Sequence, residues 1–144
     1  MGTFGKSSRE KLDTAHKDLQ TLFEEVVKHF DCTVVYGHRS PEEQNKLYQQ
    51  GRTLPGGIVT YKDGYEKLSK HNYSPSLAVD VVPYPINWKD VDRIRYFAGF
   101  VMGIAKMLKG QGLIENDIVW GADWDNDTEL SDESFVDLPH FQIK

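Results

Sequence analysis

The chain has 144 residues, with 17 lysines and arginines against 22 aspartates and glutamates and a formal net charge of -5. That length suits one domain over 1–144 with a real core, and the mixed, mildly acidic charge argues against a general nucleic-acid binder. A single cysteine, Cys32, excludes an internal disulfide framework and fits folding in a reducing cytosol.

No apolar run approaches the ~20 residues that span a bilayer, so membrane insertion is not expected. Met1 to Lys6 lacks the apolar core of a signal peptide. The expectation is a monomer held in the cytoplasm; if its substrate lies outside the membrane, export depends on something other than this chain.

Ser7 and Glu10 have the spacing of a capping box and open a helical pattern. Leu12, Ala15, Leu19, Leu22, Phe23, Val26, Val27 and Phe30 recur at three and four, predicting one long helix with one apolar face. His16 and His29 fall on it as polar or boundary positions. Cys32 to Tyr36 is short and β-branched, a strand. Ser40, Pro41 and Glu43 form a second cap and open a helix that stops near Gly51.

Arg52 to Lys67 carries Pro55-Gly56-Gly57 and Asp63-Gly64, signals of a long loop, with a short strand expected at Ile58-Val59-Thr60. Leu77 to Val82 is an apolar run interrupted by Asp80, a buried strand with a carboxylate in it. Asp90 opens an amphipathic helix with its stripe from Val91 to Leu108, closed by Gly110 or Gly112. Ile118-Val119-Trp120 is a strand, and Phe135 to Ile143 predicts a final one. Between them Asp123, Asp125 and Asp127 alternate like a calcium loop, but the EF-hand pattern fails, with Ser134 at its twelfth place. A solvated loop is the default there.

A carboxylate in an apolar strand needs a partner, and a metal ion is an efficient one. His71, Asp80 and His140 supply two imidazoles and one carboxylate, the count of a catalytic zinc that keeps one position open. Asp137 is then available as a general base, and Arg39, at a strand-to-helix junction, as a cation for an oxyanion or a carboxylate. Taken singly, each has an ordinary structural reading, His140 as a terminal histidine and Arg39 as an ion-pair former. Four suitable groups in two compact motifs set a metal hydrolase beside that reading.

Ser69-Lys70-His71 with Ala78-Val79-Asp80, and Asp137-Leu138-Pro139-His140 near the end, resemble the two motifs of the LAS-type metallopeptidases of peptidase family M15. The stretches Gly37 to Gln44 and Tyr48 to Thr53 also look like this group, and the resemblance runs from about Leu19 onward, most of all to bacteriophage endolysins. It implies an α+β fold, a small antiparallel sheet flanked by helices, similar to hedgehog and D-Ala-D-Ala peptidase domains. It further implies one zinc on His71, Asp80 and His140, Asp137 as the base, Arg39 acting on the substrate carbonyl or carboxylate, and Ser69 supporting substrate or site geometry.

The implied activity is hydrolysis of the L-Ala–D-Glu bond of bacterial peptidoglycan. A D,D-carboxypeptidase or dipeptidase, and a non-catalytic zinc-stabilised wall-binding domain, are the alternatives. One departure stands out: eight residues separate His71 from Asp80, more than the family's common spacer, and Ser76 replaces its glycine. Either Tyr73-Ser74-Pro75 bulges, or the ligand geometry differs.

Overall fold

The structure, a computed structural model, describes residues 2–144. In chain order it has α1 (Lys6–Leu12), α2 (Lys17–His29), β1 (Cys32–Tyr36), α3 (Pro41–Gln49), a 3-10 turn (Lys70–Asn72), β2 (Ala78–Pro83), α4 (Val91–Gly110), β3 (Ile118–Trp120) and β4 (His140–Ile143). The strands form one antiparallel sheet in the order β1-β2-β4-β3. The α+β expectation holds.

Side-chain alternation divides the sheet into two faces. Val34, Val79, Val81, Phe141 and Ile143 point into a core completed by Leu19, Leu22, Phe23 and Val26 of α2 and Phe97, Ala98 and Val101 of α4. Phe23 meets Phe141 edge-on, with ring centroids 5.4 Å apart. Asp80, His140 and Gln142 lie at the intervening positions and face the other way.

The expected long first helix is two helices. Its chain breaks at Asp13–His16, where the backbone bonds to the segment after His71: Ser76 N donates to Thr14 O at 2.9 Å and His16 N to Ser76 O at 2.8 Å. His16 then caps α2, its Nδ1 accepting from Asp18 N at 3.0 Å. The Ser7–Glu10 box does not form, since α1 begins at Lys6 after Gly5 and Ser8 turns inward to accept from Val34 N. Within the long spacer of the first motif, Ser76 is thus buried on the helix break while Tyr73, Ser74 and Pro75 stand out exposed, as a bulge.

Two strand expectations also change. Residues 58–60 make no strand; Thr60 instead spends its hydroxyl on Gln44 Nε2 and Lys62 N. The last strand shortens to His140–Ile143 because the preceding residues turn, with His140 N bonded to Asp137 O at 3.1 Å and the Trp120 indole to Leu138 O at 2.7 Å. The Ser40–Glu43 capping box and the Asp90 cap form as expected.

Asp18 is a structural carboxylate that periodicity does not reveal. Buried at the start of α2, its Oδ2 accepts from Glu115 N, Asn116 N and Asn116 Nδ2 at 3.0, 2.9 and 2.8 Å. Burial alone would raise its pKa, but the donors overcome this and hold it below the ordinary aspartate range. Asp18→Ala is expected to cost about 2 kcal/mol at pH 7 by stranding those donors. A depressed folded pKa means the benefit is complete above the unfolded value near 4 and fades as pH falls through the folded one. Urea unfolding of both proteins at pH 7 and pH 3 should show the gap narrowing on acidification.

Candidate metal centre

Antiparallel pairing places Asp80 of β2 directly opposite His140 of β4, while a bulge between Val34 and Tyr36 brings Tyr36 opposite Asp80 on the other side. His71 arrives from the 3-10 turn, which Ser69 caps by accepting from His71 N at 3.2 Å and Asn72 completes by accepting from Ser69 N. Two bonds to the Arg39 backbone, Arg39 N to His71 O at 2.8 Å and the Asn72 side-chain Nδ2 to Arg39 O at 3.0 Å, lock that turn to the segment after β1.

The three expected ligands converge. Asp80 Oδ1 lies 3.2 Å from His71 Nε2 and 3.3 Å from His140 Nδ1. Each imidazole uses its outer nitrogen elsewhere: His71 Nδ1–H donates to Gly37 O at 2.7 Å, and His140 Nε2–H to Gln142 Oε1 at 2.8 Å. The inner nitrogens therefore present lone pairs to a carboxylate oxygen, an arrangement that calls for a cation between them. Tetrahedral ligands at ordinary zinc distances stand about 3.3 Å from each other. The residues present fit zinc in donor type, spacing and tautomer.

Arg39 is buried beside them. Its Nη2 donates to Asp80 Oδ2 at 2.9 Å, its Nη1 to Gln44 Oε1 at 3.2 Å, and its guanidinium lies over the Tyr36 ring at 4.2 Å. Sequence reasoning places Arg39 toward substrate; the structure also ties it to the carboxylate of the ligand set. Asp137 stands apart from the cluster, Oδ2 3.8 Å from His140 Nδ1, with its side chain 34% exposed.

Burial works against the charged forms of His71, Asp80, Asp137 and His140. It pushes His71 down, more than Asp80 draws it back up. At His140 burial also pushes down, but the bond to Asp80 and the charges of Asp80 and Asp137 win and raise it. Asp80 resists burial through both histidines and ends well below the carboxylate range. Burial and the Asp80 charge push Asp137 up to about 6.

These side chains line a cavity of about 330 Å³ whose walls include Val59, Thr60 and Lys62 from the long loop and Phe135 from the loop before β4. Tyr61 meets Phe135 edge-on at 5.5 Å, so the walls touch at one point. The second loop is held by Trp124, which donates from its indole to Phe135 O at 2.7 Å and packs against the His140 ring at 5.3 Å.

Gly121 is required by close approach: a Cβ there would overlap the Asp137 carbonyl oxygen and come 3.0 Å from His140 Cβ. Gly121→Ala is expected to cost about 1–3 kcal/mol and to shift both residues. Thermal melts and zinc stoichiometry would read this out, and a wild-type profile in both would show that the backbone yields freely.

The acidic loop gathers Asp123, Asp125 and Asp127. Asp123 is already engaged, its oxygens accepting from Asp127 N at 3.2 Å and Thr128 N at 3.0 Å, so it shapes the loop whether or not an ion is bound.

Several contributors escaped sequence reasoning. Gln142 was detectable, since two residues after His140 on a strand it must share its face. Gly37 contributes only a carbonyl, Gln44 acts through long-range amide hydrogen bonds and Tyr36 through its ring under the guanidinium, so none of these had a signal of its own.

Fold and site together define an α+β domain with a buried His-Asp-His cluster, a candidate metal centre, in a cleft. The family model for the phage L-alanyl-D-glutamate peptidase matches residues 1–143, and the chain belongs to that family. It is 34% identical over 119 residues to the peptidoglycan L-alanyl-D-glutamate endopeptidase CwlK of Bacillus subtilis, covering 81% of this chain and 62% of that protein's length. The chain thus spans less than two thirds of that relative. Its fold is similar to that of the Serratia marcescens L-Ala D-Glu endopeptidase ChiX, with a TM-score of 0.64 at 23% identity, over 98% of this chain and 89% of the other. Among the described residues, no helix is long and apolar enough to cross a membrane.

Proposed function

We propose that this chain is a zinc-dependent peptidoglycan endopeptidase that hydrolyses the L-Ala–D-Glu bond of the stem peptide, used by a phage as an endolysin. The observation that carries this reading is the pair of inward imidazole lone pairs on Asp80 Oδ1, next to a separate carboxylate, Asp137. Family membership and the activity in the names of CwlK and ChiX support the choice of bond.

In this reading His71 Nε2, Asp80 Oδ1 and His140 Nδ1 hold the zinc. Zinc on such a set supplies Lewis-acid polarisation of a carbonyl and lowers the pKa of water. Gly37 and Gln142 keep both imidazoles in the ligating tautomer. Asp137, raised to about 6, is poised to take a proton from the attacking water near neutral pH. It then returns that proton to the amide nitrogen as the C–N bond breaks.

Arg39 orients Asp80 and places positive charge beside the carbonyl where negative charge develops. Ser69 lines the cavity and supports the turn that carries His71.

Mass spectrometry of purified peptidoglycan digested by the zinc-loaded protein tests the proposal, with Asp137→Ala as control. Stem peptides beginning at D-Glu, absent from the control, are expected. Release of terminal D-Ala would transfer the chain to the carboxypeptidase branch, and no new product would leave a zinc-stabilised binding domain.

A further inference from the structure

The cavity has two lysine or arginine side chains in its lining, Arg39 and Lys62. Arg39 is committed to Asp80 and Gln44. Lys62 is exposed and forms no ion pair among the described residues. With Asp137 on the same lining, Lys62 is the cation left to meet an anionic group of a substrate.

Its backbone is held in place even though the loop has no regular structure. Lys62 O accepts from Gln44 Nε2 at 3.0 Å, Lys62 N donates to Thr60 Oγ1 at 3.1 Å, and Asp63 O accepts from Asn45 Nδ2 at 3.1 Å. Gln44, fully buried, bonds Arg39 with its other end, so one side chain ties the Lys62 wall to the metal centre. The adjacent Asp63 does not neutralise the lysine. Its Oδ1 accepts from Tyr65 N, Glu66 N and Lys67 N at 2.9, 3.0 and 3.0 Å.

A glutamyl residue has one amine and two carboxyl groups. When alanine acylates the amine and one carboxyl carries the chain onward, the other stays free and ionised at neutral pH. It sits on the residue whose nitrogen leaves. We propose that Lys62 is a specificity-determining residue whose ammonium binds this free carboxylate, so that the enzyme prefers a glutamate over its amidated form. The inference rests on the endopeptidase reading above and goes beyond it, from the bond to the ionic state of the residue after it.

The test uses two synthetic stem peptides that differ only in this group, carboxylate in one and carboxamide in the other, with zinc-loaded wild type, Lys62→Met and Lys62→Arg. Wild type is expected to favour the carboxylate by about tenfold in kcat/KM, expressed in KM. Lys62→Met should bring the ratio near one, and Lys62→Arg should restore much of it. A ratio that Lys62→Met leaves intact, or equal losses on both peptides, would overturn the proposal.

Binding of the same peptides to zinc-loaded Asp137→Ala, with and without Lys62→Met, separates the two readings. A Lys62-dependent preference in binding without wild-type cleavage would retain the carboxylate site and reject the endopeptidase. Absence of that preference would reject the carboxylate site even if cleavage occurs.

Discussion

Asp137→Ala is expected to lower kcat on peptidoglycan by about 10²- to 10⁴-fold, the range of a positioned general base, while zinc stays bound. The separation of functions follows from position. Asp80 Oδ1 lies 3.2 and 3.3 Å from the two imidazole nitrogens, whereas Asp137 Oδ2 stands 3.8 Å from one of them and outside the ligand set. Zinc content by mass spectrometry and initial rates of stem-peptide release check both halves. Loss of zinc in this variant would make Asp137 a ligand instead of a base, and an unimpaired rate would remove it from the reaction.

Asp80→Ala is expected to abolish zinc binding and to lower the stability of the metal-free protein by about 3–5 kcal/mol, the scale of breaking a buried ion pair from one side. The carboxylate anchors Arg39 through Oδ2, and its removal leaves a buried guanidinium without an anion. His140→Ala should also lose zinc but keep the Arg39–Asp80 pair, so its stability loss should be smaller. Urea unfolding of the apo proteins and zinc stoichiometry distinguish the two. Stoichiometric zinc retained by either variant would strike that residue from the ligand set, and equal stability losses would deny Asp80 its role in holding Arg39.

The motifs were legible because the chemistry is compressed into short stretches. A carboxylate inside Leu77 to Val82 has few explanations, and the alternation of β2 and β4 puts Asp80 and His140 on one face once those strands are recognised. The capping box at Ser40 and the stripe of α4 were local too, set by spacing and hydrogen-bonding type. The continuous first helix failed for the opposite reason. Its 3.6-residue period persists through Thr14 and Ala15, and only the Ser76 backbone, 60 residues away in sequence, offers bonds that make a break favourable.

The same contact explains the long spacer between His71 and Asp80. Ser76 docks on the helix break, Tyr73, Ser74 and Pro75 bulge outward, and His71 and Asp80 still meet at 3.2 Å. At 58–60 side chains hold the loop in place of a ladder: Arg52 Nη1 bonds the Thr60 carbonyl, and Gln44 the Thr60 hydroxyl and the Lys62 carbonyl.

By itself the sequence determined the elements with strong periodicity or caps and offered the candidate metal-binding and acid–base side chains, because these depend on residue type and near neighbours; the class of fold followed from the family resemblance that those motifs carry. Only the tertiary structure decided which imidazole nitrogen faces inward, that Arg39 is tied to Asp80, and that Lys62 stands on the cavity wall without an acidic partner among the described residues. Those outcomes depend on Gly37, Gln142 and Gln44 supplying a carbonyl or an amide across long stretches of chain. A hydrogen bond between distant residues has no period and no spacing, so it becomes visible only when the sheet has closed.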